Sequence, residues 1–404
     1  MYDLNDFNIS KKQQRYLGNK GLIIFLALLS AFVPLSTDLY LPALPTMSKY
    51  FNVAVYKTNL TLILFFVFFS FATLIWGPLS DKYGRRPILI LGLICYMVAS
   101  FLCALSLDIY QLIIFRILQA VGAGAASAVA TAIVKDVYEG RRRESILALV
   151  QSMVVICPAV APTIGALLLK FTSWRGVFLT QAILGAIIVA GSVVFQETIG
   201  LKNNGSFLYT VGRIGVVIKN LKFTALLIIF SMVSIPLMAF ISSSSYIYQD
   251  YFGLSEQKYS YFFAFNAAGM LIGPLLYVRL SSYFKRYSII NVCFLAIILS
   301  GIIISILGRF APWLFAISLL PSTIAGSCIR PPGTYLMLEQ QKEDTGSVSS
   351  LISSFSTIMG SVGMIIVSFN TGNLVEMVGI VNIIFGILCG FLWFVAKKVL
   401  LCEK

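Results

Sequence analysis

Between two long apolar runs stands Gly77-Pro78-Leu79-Ser80-Asp81-Lys82-Tyr83-Gly84-Arg85-Arg86, which carries four charges and a turn residue. The flanking runs, from about Leu60 to Trp76 and from Pro87 to Leu105, are each near the ~20 residues that a helix needs to cross a bilayer. A charged stretch held between two such helices reads as a tight loop at a membrane surface. That reading leaves few folds open, because a backbone inside lipid has to satisfy its own polar groups.

The rest of the chain repeats the pattern. Hydrophobic residues make up 58% of it and charged residues 11%, with a mean hydropathy of +0.90, more apolar surface than a soluble core needs. The apolar runs parse into about twelve spans, the second expected near 59 to 79 and the tenth near 312 to 335. The first run is a full span with no small-residue cleavage site behind a short core, so it is expected to be a helix and not a signal peptide. The seven cysteines lie mostly inside spans without a Cys-x-x-Cys pair and are read as small packing residues.

Basic residues set the expected orientation. With both termini in the cytoplasm, Lys and Arg favour the inner loops by roughly four to one. Topology thus accounts for the net charge of +14, and no nucleic-acid partner is called for, since the bases are spread over every inner loop. The longest polar interval, 197–222, divides an N-terminal six-helix half (1–196) from a C-terminal one (223–404). Asn204-Gly205-Ser206 within it fits a glycosylation acceptor, an accidental match on the cytoplasmic side. Gly77-Pro78-Leu79 at the end of the second span returns as Gly273-Pro274-Leu275 in the eighth. An internal repeat with parallel halves explains the echo and places a substrate site between the halves near the midplane.

These residues resemble the major facilitator superfamily. Its loop signature is matched at Gly77, Leu79, Asp81, Gly84, Arg85 and Arg86. The stretch Pro34–Pro45, Arg116-Ile117-Leu118-Gln119 and Ser173-Trp174-Arg175-Gly176-Val177-Phe178 resemble the Bcr/CflA branch of drug/proton antiporters. The resemblance implies an all-α membrane fold of twelve helices in two six-helix halves related by a pseudo-twofold axis. It also implies that Asp81, Arg85 and Arg86, with Gly77 and Gly84, latch neighbouring helices when the inner side is closed. Plain anchoring of the arginines at the inner surface is the alternative for that pair. Two glycines of the branch's fifth-span signature are alanines here, in Ala161-Pro162-Thr163-Ile164-Gly165-Ala166, and Gln119 is followed by Ala120 in place of glycine.

Asp38 is the strongest chemical candidate, because every other acid can be placed in a loop, a tail or a span end. A charge at mid-membrane costs on the order of 3 kcal/mol on insertion scales, so a lone acid there needs a reason. Arg116 falls at a similar depth on the fourth span, which predicts that the two pair. Asp38 is read as the proton-binding carboxylate and Arg116 as the group that tunes it. The plainer alternative is a permanent ion pair that only joins two helices. Pro158, Pro162 and Gly165 are expected to bend the fifth span, although prolines are common in membrane helices generally. Gly122-Ala123-Gly124-Ala125-Ala126, inside a span with no strand before it, is a packing face and not a nucleotide loop.

The second half offers no mid-span acid, and Arg330 falls near the inner end of the tenth span. Its cavity is expected to be apolar and aromatic. Tyr40, Phe240, Tyr246, Phe265 and Asn266, with Phe263 and Tyr335, are the expected lining residues beside Asp38. Enzyme classes fit badly: histidine is absent, no Walker sequence is present, and no nucleophile-base set can be drawn. The expectation is a secondary transporter that exports lipophilic drugs or toxic compounds against protons, with no cofactor and no metal, working as a monomer in the inner membrane. The alternative is a proton-coupled transporter of one specific metabolite or siderophore.

Overall fold

Each long apolar run becomes a helix, since a helix alone satisfies every backbone group within one lipid-crossing segment. The computed structural model describes residues 14–199, 215, 217–341, 345–369 and 372–401; Asn203-Asn204-Gly205-Ser206 and Cys402 lie outside the described residues. Twelve helical spans are long and apolar enough to cross a membrane. The first half consists of α1 (Gly18–Asp38), a short α2 (Leu44–Tyr50), α3 (Val55–Tyr83), α4 (Arg85–Leu105), α5 (Ile109–Val137), α6 (Gly140–Phe171) and α7 (Trp174–Val194). The second consists of α8 (Leu221–Met232), α9 (Ser234–Tyr246), α10 (Glu256–Ser281), α11 (Arg286–Leu307), α12 (Pro312–Cys328), α13 (Arg330–Glu339), α14 (Thr345–Ser368) and α15 (Leu374–Leu401).

The charged run is not the loop that its composition predicts. Helix α3 continues through Pro78 to Tyr83 and α4 starts at Arg85, leaving Gly84 as the turn. Proline inside α3 removes one backbone donor, and Lys82 in the last turn suits the negative end of the helix. The reversal is made by one residue at φ +112°, ψ 152°, a conformation open essentially to glycine.

Two cores form within the halves, one between Leu22 and Phe195 and one between Val217 and Trp393, and a third is shared between them. The repeat is visible in the helix crossings. Gly165 of α6 lies against the Leu39 carbonyl at the end of α1, and Gly363 of α14 lies against the Ile235 carbonyl of α9. A side chain at either position would collide with backbone, so glycine is what lets the two main chains meet. Three spans are interrupted: the first after Asp38, where Leu41–Ala43 forms a tight turn, the seventh at Val233 and the tenth at Ile329. Pro236, and the pair Pro331 and Pro332, lack the donors that an unbroken helix would use there.

The halves meet along α3 with α14 and α6 with α10. On the face of Asn52 they are bonded together. Lys49 Nζ lies 2.8 Å from Asp250 Oδ1, Gln249 donates to the Pro42 carbonyl at 2.9 Å, Gln257 donates to the Ala166 carbonyl at 3.0 Å and Asn59 donates to Ser368 at 2.8 Å. The rings of Tyr56 and Phe369 stack over this seam at 5.3 Å. On the opposite face, that of Gly84, a polar cleft of about 500 Å³ opens between α3, α5 and α14, lined by Asp81, Arg85, Asp136, Thr131, Ser350 and Ser353 among others. Ser354 closes its deep end by donating to the Ser70 carbonyl at 3.2 Å.

Candidate functional site

Asp38 is the last residue of α1 and is 5% exposed. The Thr37 hydroxyl lies 3.1 Å from Asp38 Oδ1 and 3.2 Å from the carbonyls of Val33 and Pro34, so one proton serves three acceptors. Cys157 of α6 and Tyr259 of α10 lie within electrostatic reach of the carboxyl group. Asp38 therefore sits where a helix of its own half and one of the other half converge, buried and sparsely hydrogen-bonded.

Arg116 is fully buried on α5. It donates to the Ser36 carbonyl at 3.2 Å, to the Thr61 carbonyl at 3.4 Å and to the side-chain oxygen of Gln119. Its planar group lies against the rings of Tyr40 (4.4 Å) and Phe65 (4.2 Å). Gln119 passes the network on to Ser100 at 2.7 Å and Gln181 at 2.8 Å, and Gln181 returns it to the Ser36 carbonyl at 3.2 Å. The expected Asp38–Arg116 ion pair is not formed. Depth was matched but direction was not: Arg116 reaches α1 at Ser36, and a residue two positions on is turned about 200° around a helix.

The expected lining residues divide. Phe240 is buried with Phe263 at 5.7 Å and Phe315 at 6.2 Å. Tyr40 is buried, its hydroxyl 3.2 Å from Thr61 Oγ1, and forms a wall of the arginine pocket. Tyr246 and Asn266 are buried, and the Tyr246 hydroxyl and Asn266 Oδ1 have no hydrogen-bond partner. Phe265 is 44% exposed and lies on the outer surface of α10 with Tyr261 and Trp313, so it does not line the interior. Phe263 and Asn266 take the inward face of that helix, and the residue between them is turned to lipid. Tyr335 is half exposed beneath Arg286 at 3.9 Å, also away from the interior. Arg330 lies inside the tenth span and begins α13, not at the span's end.

The Gly84 turn is a charged junction of three helices. Arg85 is buried and bonds Asp81 of α3, Asp136 of α5 at 2.8 Å and the Ser80 hydroxyl at 2.7 Å. Gly77 lies within α3 beside the cleft, and Arg86 donates to the Val193 carbonyl at the end of α7. Glu197, which sequence reasoning left as an ordinary span-end acid, holds the junction from the other side. Its carboxylate accepts the Arg85 N–H at 3.0 Å and the Arg86 N–H at 3.1 Å, capping α4, and also takes the N–H groups of Thr198 at 3.0 Å and Ile199 at 3.1 Å. An anion on the first amides of a helix is favourable. Gln14 and Gln196 exchange two further bonds, at 3.0 and 2.8 Å, which tie the start of the chain to the same point.

Helix α6 runs unbroken through Pro158 and Pro162, and Gly165 provides its close approach to α1.

A family model described as Major Facilitator Superfamily matches residues 26–364. An uncharacterised MFS-type transporter of Bacillus subtilis, YdgK, is 28% identical over 366 residues, 88% of this chain and 90% of that protein. A bicyclomycin resistance protein homolog of Haemophilus influenzae is 23% identical over 352 residues, 84% of this chain and 87% of that protein. Among solved structures, a bacterial homolog of the human lysosomal transporter Spinster, inward-facing and unoccupied, matches with a TM-score of 0.75 at 14% identity, covering 97% of this chain and 99% of that one.

Proposed function

The chain belongs to the major facilitator superfamily, and on that footing we propose that it is a proton-coupled exporter of lipophilic compounds that works by alternating access. The likeness to a bicyclomycin resistance protein homolog supports drug efflux in the manner of the Bcr/CflA branch. The observation that carries proton coupling is Asp38: a buried carboxyl group at the seam of the halves, with one shared hydroxyl for company. Such a group is stabilised as the neutral acid when enclosed and as the anion when water reaches it, so rocking the halves loads and unloads a proton. Arg116 acts on this site through α1, fixing the Ser36 carbonyl two residues before the acid.

The sealed Asn52 face and the open Gly84 cleft describe an inward-open state, with the Gly84 face and both termini cytoplasmic in the inner membrane of a bacterial cell. The division into 1–196, the linker 197–222 and 223–404 follows the same frame, and one copy is the working unit. Asp81, Arg85 and Arg86 set the balance between the two access states, and Pro158, Pro162 and Gly165 set how α6 bends as the halves move.

The test is energised transport in inside-out vesicles. Asp38→Asn keeps the size and hydrogen-bonding capacity of the side chain but does not titrate. Loss of proton-driven efflux with retained binding of a neutral substrate is the expected result. Efflux at the wild-type rate in a normally expressed Asn variant overturns the assignment.

A further inference from the structure

Arg330 is the guanidinium that the fold leaves unanswered. Arg116 has three acceptors and two aromatic faces, and Arg85 has two carboxylates and a hydroxyl. Among the described residues Arg330 has neither a hydrogen bond nor an ion pair, and no acid lies close enough to influence it. Its side chain is open to solvent yet surrounded by protein, the combination expected of an internal cavity wall and not of a surface anchor.

The position is set by two interrupted helices. The tenth span breaks at Ile329, directly before Arg330-Pro331-Pro332, and the seventh breaks at Val233. The two breaks face each other, since a Cβ on Gly326 would lie 3.9 Å from Val233 and one on Gly333 would press on the Phe230 ring. Arg330 shares a narrow cleft with Val233, Pro236, Leu237 and Phe240, which are apolar. Paired breaks in a transporter's spans mark where substrate is held. An unpaired charge inside a span is costly and marks a ligand pathway.

Resting on the exporter reading above, we propose that Arg330 is the head-group subsite of the transport cavity and that the exported solute is an organic carboxylate on an apolar body. A guanidinium presents a planar fork that meets a carboxylate with two parallel hydrogen bonds. Val233, Leu237 and Phe240 then receive the apolar part. This narrows the neutral or cationic solute that Asp38 alone suggests.

Three probes with one ring system test it: naphthalene-2-carboxylate, 2-naphthamide and 2-naphthylmethylammonium, with binding to the purified full chain in detergent measured by equilibrium dialysis. The wild type is expected to bind the carboxylate at least tenfold more tightly than the amide, and the ammonium most weakly. In Arg330→Gln the carboxylate and amide are expected to bind within twofold of each other. Arg330→Lys, which keeps the charge and loses the fork, is expected to retain a preference of about threefold. If the Gln variant is not monodisperse, the Lys variant decides: a reduced preference supports the subsite and equality overturns it. Equal binding by the wild type, or an undiminished preference in Arg330→Gln, also overturns it. Ethidium efflux from vesicles of the same preparations keeps the two readings apart. A carboxylate preference without proton-driven efflux removes the export reading and leaves the subsite, and efflux without the preference does the reverse.

Discussion

Replacing Gly84 by alanine sets two structural demands against each other at one atom. The new Cβ would lie 2.6 Å from Glu197 Oε2 and 3.3 Å from its Cδ, while the backbone stays at φ +112°, ψ 152°. Holding an L-residue there costs about 2 kcal/mol. The methyl group also displaces the carboxylate from the Arg85 and Arg86 amides, and weakening two charge-assisted bonds at a partly solvated site costs about 2 kcal/mol more. Gly84→Ala should therefore destabilise by about 4 kcal/mol and Glu197→Ala by about 2 kcal/mol. Once Glu197 is gone the methyl has nothing to displace, so Gly84→Ala in that background should cost only about 2 kcal/mol, a coupling of about 2 kcal/mol. Unfolding by SDS titration in mixed micelles, followed by tryptophan fluorescence, measures all four corners of the cycle. Additive losses would show that the turn and the cap are independent and refute the argument.

Arg116→Lys should destabilise by about 2 kcal/mol and slow efflux at least tenfold, because one ammonium does not span the Ser36 and Thr61 carbonyls and Gln119 together; wild-type melting and efflux would remove its bracing role. The double variant Asp38→Asn with Arg116→Leu should not recover transport, since the two residues are not an ion pair; recovery would restore the pairing that the structure lacks. Asp81→Asn should change stability by less than about 1 kcal/mol, Arg85 keeping Asp136 and Ser80, while labelling of a cysteine placed at the Gly84 mouth increases. Unchanged labelling with loss of substrate binding would move Asp81 into the substrate site. Gly165→Val should cost about 3 kcal/mol by pushing α6 off the Leu39 carbonyl, read by SDS titration, and a neutral result would mean that the crossing tolerates side-chain volume.

What was legible in the chain follows from what one dimension records. Apolar length gave the spans, and glycine at position 84 marked the turn. The turn's breadth was misjudged, because charges at 81, 82, 85 and 86 are as compatible with helix ends as with a loop. Depth along a helix is also linear, so Asp38 and Arg116 could be placed at one level, but rotation about the axis is not, and the pairing failed there. Phe265 failed likewise: helical periodicity says that one of Phe263 and Phe265 faces inward without saying which. Glu197 was invisible because its partners lie 112 and 111 residues away in the chain. Arg330 was visible, but its depth depended on where a proline-broken span ends.

The crossings of Gly165 with Leu39 and of Gly363 with Ile235 give the two halves a common ruler. Counting back one residue from each carbonyl sets Asp38 opposite Ser234, and the same offset carries Gly77-Pro78-Leu79 onto Gly273-Pro274-Leu275. Ser234 is buried, at 6% exposed, at the start of α9. A duplicated frame thus provides two equivalent seats, of which one holds an acid and the other a hydroxyl that does not titrate. With Asp38 as the carrier, these seats move one proton per cycle, and the stoichiometry of the machine was settled when its ancestral twofold lost its chemical symmetry and kept its backbone.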